Sequence, residues 1–292
     1  MNNDHKSILR IALLFSFLLM SFTVQAQEKH RVFTLKVGNE FQKEILSNSK
    51  AVVQRGNQTL TVNTTSSLTK SYKVVNASDK GYDLNVTIKK MDNLIDALGK
   101  QFHYNSEGKG DSTSRIEKAL NFMLNKPVDV AIDKYGVILS STEYKSELAT
   151  DTLVSFAGLQ METFEKGTLL GLLADINVNS TYKKGYTWTD SVKIYKQKLV
   201  TKFWIEDINQ KNTVIKFSST IVTPLLNSNS NGTYILENST GLIAEKLVYT
   251  VSTGYQISTG GVAYAVSRST SLSERVSNYA DRSCLLHNLL NN

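Results

Sequence analysis

From Tyr82 onward apolar and polar residues alternate. Tyr82, Leu84, Val86 and Ile88 fall on one side; Asp83, Asn85, Thr87 and Lys89 fall on the other. A period of two is the pattern of a half-buried antiparallel strand. The turn Asp79-Lys80-Gly81 joins it to the preceding run, Tyr72 to Val75, as a hairpin. A second stretch, Lys202 to Val222, lies on residues 71–91 without a gap, with its own turn at Asn209-Gln-Lys-Asn212. Two more pairs of markers keep the same order. Leu35 to Phe41 matches Tyr182 to Trp188, each with a glycine three positions before an aromatic. The turns Asp133-Lys-Tyr-Gly136 and Asn238-Ser-Thr-Gly241 each stand between two apolar runs. In both, an Asx residue caps the turn and glycine takes the positive-φ position. Three ordered markers predict a tandem duplication, although Gly-marked hairpins also recur in unrelated β proteins.

Helical spacing is confined to fewer places. Ile116, Ala119, Leu120, Met123 and Leu124 share one helical face, Ser114 and Glu117 form a capping box, and Asn125 with Pro127 ends the run. Leu148 to Ala157 and Met161 to Leu173 read as helical, broken near Gly158 and Gly167. The expectation is therefore an α+β protein, mainly antiparallel β, with two related sheet lobes and two or three packed helices. Its predicted divisions are a first repeat at 27–146, a helical connector at 147–176, a second repeat at 177–277 and a tail at 278–292.

The first 26 residues stand apart. Lys6 and Arg10 precede the apolar stretch Ile11 to Met20, and Val24-Gln25-Ala26 ends it as a small-residue cleavage site. This is the order of a secretory signal peptide, and the apolar core is shorter than the roughly 20 residues a membrane helix needs. The chain is expected to be exported, periplasmic or extracellular, with no lipid anchor and no transmembrane segment once the signal is removed. Cys284 is the single cysteine, so no disulfide within the chain contributes to stability. The formal charge of +7 is spread thinly, densest at Lys89-Lys90 and Lys183-Lys184. Without a basic patch interleaved with aromatics, nucleic acid is not an expected partner.

No His-Glu-x-x-His or Gly-x-Ser-x-Gly pattern occurs. His30, His103 and His287 are far apart in sequence, which argues against a zinc site. Gly108-Lys109-Gly110 before the capped helix has the flavour of a phosphate loop, but the spacing is wrong and no βαβ context surrounds it. Glu206 and Asp207 are adjacent, so a strand would send them to opposite faces. No catalytic residue, metal ligand or cofactor is expected. The remaining clue is aromatic: Tyr182, Tyr186, Trp188, Tyr195, Phe203 and Trp204 crowd the start of the second half. Such residues fill a core or line a concavity, and Tyr186, Trp188, Phe203 and Trp204 are the candidate ligand-lining set.

The markers at Leu35 to Phe41, Tyr104-Asn105-Ser106, Val128 to Leu139 and Lys184-Gly185-Tyr186-Thr187-Trp188 resemble an uncharacterised family of exported proteins from Bacteroidota, over roughly residues 30–275. The proline-rich lead-in expected before the tryptophan is replaced here by Asn177-Val-Asn-Ser180. A looser likeness in fold is to periplasmic lipoprotein carriers, whose curved antiparallel sheet wraps helices around an acyl-binding cavity. Fold does not give function. The expected role is a noncatalytic envelope protein that binds an apolar, lipid-like ligand or another envelope component. A protein-partner or scaffolding module using sheet edges, and a less favoured unrecognised hydrolase, are the alternatives.

Overall fold

The computed structural model describes residues 31–110, 114–142, 162, 164–174, 182–194, 197–223, 226–257 and 263–278. Twelve strands form one antiparallel sheet: β1 Glu40–Arg55, β2 Gln58–Ser78, β3 Gly81–Ala97, β4 Lys100–Asn105, β5 Val128–Asp133, β6 Ile138–Ser141, β7 Thr187–Ile194, β8 Gln197–Ile208, β9 Asn212–Val222, β10 Leu226–Glu237, β11 Ile243–Ile257 and β12 Ala263–Asn278. Their order is β6-β5-β3-β2-β1-β12-β11-β10-β9-β8-β7, with β4 on β3. Each half of the chain is thus a meander running outward or inward, and the halves meet at β1 and β12. That seam is registered from Phe41↔Asn278 to Gln54↔Ala265.

The seam overturns the expectation of two lobes. Strands of this length, paired over their whole run, leave no boundary at which a second lobe would begin. The helical content is corrected too. Among the described residues there is one helix, α1 Arg115–Met123, begun as expected by Ser114, whose Oγ accepts from the Glu117 amide at 3.3 Å. Leu148 to Ala157 lies outside the described residues. The described part of the second expected helix, residues 164–174, is a turned strap: Gly167, Leu170 and Ala174 donate to Ile138, Gly136 and Gly241 of the two hairpins, and Thr168 and Leu173 bond within it only across single turns, to Glu165 and Leu170. The signal segment and the terminal stretch 279–292, with Cys284, also lie outside the described residues.

The strap explains the two similar hairpins. Leu170 donates to the Gly136 carbonyl at 3.0 Å and Ala174 donates to that of Gly241 at 3.1 Å. Ile138 donates to Thr168 and Ile243 donates to Leu172, at 2.8 and 2.9 Å. The same contacts recur four residues apart, so one segment holds both turns in one way. Phe33 sits between them. A Cβ on Gly136 would lie 3.2 Å from one edge of its ring, and one on Gly241 would lie 2.7 Å from the other. Both glycines also have positive φ, +81° and +77°, a region that L side chains resist.

Core residues occupy one face, called inner here. The principal cluster joins Phe33, Phe41, Tyr72, Leu84, Ile132, Ile138, Leu170 and Leu173, all buried under the strap. A neighbouring cluster sets Leu120 of α1 on Ile45, Leu68, Ile88 and Met91. Further along, the inner face turns polar. Thr201, Ser219, Ser230, Thr250, Thr270, Ser49 and Thr64 are successive cross-strand partners from β8 to β2. Several bond to each other, Thr201 to Ser219 at 2.9 Å and Ser230 to Thr250 at 2.8 Å, the kind of pair that stabilises a sheet by a few tenths of a kcal/mol.

Candidate functional site

Cross-strand partners share a face, which locates the aromatics on the described strands of the second half; Tyr195 lies outside the described residues. Trp188↔Phe203↔Phe217 is one registered row, and Ile205↔Ile215↔Tyr234↔Lys246↔Glu274↔Ile45 is the next. Both lie on the inner face. The rings touch in sequence: Tyr182 to Tyr186 at 4.9 Å, Tyr186 to Trp188 at 5.9 Å, Trp188 to Phe203 at 5.1 Å, Phe203 to Phe217 at 6.0 Å and Phe217 to Tyr234 at 4.9 Å. Two of these contacts are stacked, with interplanar angles of 12° and 18°. Stacked and tilted rings at such separations attract each other beyond their burial. The row is unevenly covered. Phe217 is buried, Trp188 and Phe203 are half-buried, and Tyr186 is 42% exposed.

Of the four candidate residues, Tyr186, Trp188 and Phe203 therefore stand together, while Trp204 points the other way. It shares its row with Lys216, Thr233 and Leu247, and its indole donates to Glu206 at 3.2 Å. Strand alternation alone separates Phe203 from Trp204. On that outer face Trp204, Lys216, Leu247, Tyr249, Leu46 and Asn231 border an open groove of about 580 Å³. Gly232 lies at its floor; there a Cβ would meet the Leu247 carbonyl and the Phe217 ring.

At its inner end the aromatic row runs into charge. Lys246 Nζ lies 5.8 Å from the Tyr234 ring centroid and 3.5 Å from Glu274. Glu274 holds Lys43 at 2.7 Å; Glu162 lies 3.9 Å from Lys43 and 3.6 Å from Lys70, and accepts from the Tyr72 hydroxyl and the Gly171 amide. Burial raises the Glu162 carboxyl, but the two ammonium groups and its two hydrogen bonds outweigh this and hold it below the usual carboxylate range. Burial depresses Lys70 in spite of Glu162, and burial beside Glu162 drives Tyr72 well above the ordinary phenol value. Burial, with Glu274 nearby, pushes Tyr234 up to about 12, so its hydroxyl is a neutral donor at physiological pH. None of these charged residues was singled out in the sequence. The signal was present: Lys43 falls between Phe41 and Ile45, and Lys70 between Leu68 and Tyr72, at positions where alternation demands an inward side chain.

The other suspected chemistry is placed as follows. His103 faces Asp92 at 3.2 Å, with both side chains about half exposed. They belong to the β3–β4 hairpin, where His103, Glu107, Gly108, Lys109, Gly110 and Glu117 line a polar pocket of about 400 Å³. No serine, threonine or cysteine is among its described lining residues. Glu206 pairs with Lys216 at 3.2 Å on the outer face, and a bulge between Ile205 and Asp207 interrupts the alternation there.

Comparison with known proteins adds little to this. Residues 79–153 match a family of unknown function (DUF6263), a stretch that includes β3, β4, α1, β5 and β6. The expected likeness to an uncharacterised family is met there, over a shorter span than the markers suggested. No curated protein matches. Among solved structures, an outer membrane channel from Pseudomonas putida F1 aligns at 8% identity, covering 84% of this chain and 98% of that one, with a TM-score of 0.23. Pseudomonas aeruginosa OccK7 (OpdD) aligns at 6% identity, 83% and 100% coverage and a TM-score of 0.23. OccK8 (OprE) of the same organism aligns at 7%, 85% and 100%, and 0.19. Likeness this weak carries no argument. The outer face is mixed: Asn229, Asn231, Ser269, Ser271, Asn48 and Thr65 alternate outward on β10, β12, β1 and β2, and Leu247, Tyr249, Val251 and Tyr255 do so on β11.

Proposed function

We propose that the protein is an exported, noncatalytic binder of an elongated apolar ligand, held along the inner-face aromatic row. The observation that carries this reading is the row itself. Five rings from Tyr186 to Tyr234 make continuous contact across four strands, and the half remote from the core is only partly covered. Rings placed to fill a core are ordinarily buried; a strip that is buried at Phe217 and opens through Phe203 and Trp188 to Tyr186 favours a surface that a ligand completes. From Tyr234 to Trp188 it crosses three strand spacings, roughly 14 Å, a length suited to a chain-like ligand. The test is native mass spectrometry of protein purified from its own cells, before and after organic extraction. A stoichiometric extra mass that extraction removes, and that proves to be a lipid, supports the reading. A bare polypeptide mass with no uptake of added lipid overturns it.

The outer groove favours a second reading, a docking surface for another envelope protein. Leu46, Leu247 and Tyr249 are 45%, 53% and 53% exposed beside Trp204, and polar residues rim them. Chemical cross-linking in the native envelope distinguishes the two: capture of one defined protein through the groove, abolished by Leu247→Asp, supports docking.

A further inference from the structure

We propose that the ligand of the aromatic row is an anionic amphiphile, of the long-chain carboxylate class, whose head group is met by Lys246. This rests on the binding role proposed above and deepens it. Along the inner face, Tyr234 is the last ring and Lys246 is its registered neighbour on β11, so an apolar strip ends on a cation. That cation is incompletely neutralised. Among the described residues the cluster sets Lys43, Lys70 and Lys246 against Glu162 and Glu274, three positive charges against two negative. Glu162 serves Lys43 and Lys70. Glu274 is committed to Lys43 at 2.7 Å and reaches Lys246 only at 3.5 Å. Lys43 and Lys70 are sealed from water, whereas the Lys246 side chain keeps a quarter of its surface open. The excess charge is therefore presented where the row ends. An anion placed there gains a charge-assisted contact in a partly desolvated setting while its chain lies over Phe217, Phe203 and Trp188.

The two tryptophans supply the test, because they report from opposite faces. In a Trp204→Phe background Trp188 is the sole indole and reads the row. Titration with dodecanoate and with dodecanol compares one chain with two heads. Both are expected to shift Trp188 emission, with dodecanoate binding about tenfold tighter at low salt. Lys246→Gln is expected to erase that preference, bringing the acid to the affinity of the alcohol without changing the alcohol; Lys246→Arg is expected to restore it. Equal affinity for acid and alcohol in the parent protein, or a preference that survives Lys246→Gln, overturns the carboxylate assignment while leaving the apolar site standing. Silence of Trp188 toward both ligands, or a response seen only from Trp204 in a Trp188→Phe background, overturns the inference and the binding role together.

Discussion

The two halves of the sheet use the same hairpins and end up differently furnished. Around β1 to β6 the inner face is roofed by α1 and by the strap, and Phe33, Tyr72, Leu84, Ile132 and Leu170 lose essentially all contact with water. Around β7 to β10 the same face buries Ile205, Ile215, Phe217 and Leu236, with Ala174 of the strap, but leaves Trp188, Phe203 and Tyr234 only partly covered. The strands are alike in pattern; what differs is the non-strand chain lying over them. Long antiparallel strands supply a scaffold across the whole width, but a packed core forms only where something roofs it. Stability should therefore concentrate in the first half and binding in the second.

Matched substitutions test that division. Phe33→Ala is expected to cost about 3–5 kcal/mol in urea unfolding, since it empties the space between two hairpin turns. Phe203→Ala is expected to cost about 1–2 kcal/mol, because that ring is only partly buried. Equal costs would break the comparison. Next comes Glu162→Ala, at about 3 kcal/mol, because it leaves Lys70, only 2% exposed, buried beside Lys43 without its carboxylate. Glu162 also sets an acid limb. Its folded-state pKa is depressed, so its contribution is present above about pH 4.3, the unfolded value, and is lost as pH falls through the folded value. Wild-type stability should drop along that limb, and the drop should be smaller in Glu162→Gln; chemical unfolding from pH 7 downward reads this. Gly136→Ala is expected to cost about 1–3 kcal/mol, from positive φ and from a Cβ 2.6 Å from Leu173. The smallest effect belongs to the outer groove, where Tyr249→Ser should change unfolding free energy by less than about 0.5 kcal/mol.

The site was half legible. Tyr186, Trp188 and Phe203 were named from composition and local crowding, and they do share a face. Trp204 was grouped with them because it is adjacent in sequence, although strand alternation sends Phe203 and Trp204 to opposite faces; at Glu206 and Asp207 the bulge interrupts that alternation. Phe217 and Tyr234 escaped notice for a different reason. They join the row only through the β8–β9 and β9–β10 registers, which no local window displays. The ionic cluster combines both cases: Lys43 and Lys70 betray themselves by sitting in apolar positions, but nothing nearby identifies Glu162 or Glu274 as their partners.

By itself the sequence determined the strands, the Ser114 cap and the glycine turns, because each depends on residues within a few positions of one another. The period of two, the Asx–Gly turn and the capping hydroxyl are local physics, and they survive into the structure at Tyr82 to Ile88, Asp133 to Gly136 and Ser114 to Met123. Only the tertiary structure decided that β1 closes on β12 to make one sheet, that residues 164–174 lie as a strap and not as a helix, and that three lysines gather around two glutamates. Those outcomes depend on contacts between residues about 30 to more than 200 positions apart, such as Leu170 with Gly136 and Lys43 with Glu274. At that range, hydrogen-bond partners and burial are set by the packed whole, and they override what a short segment prefers alone.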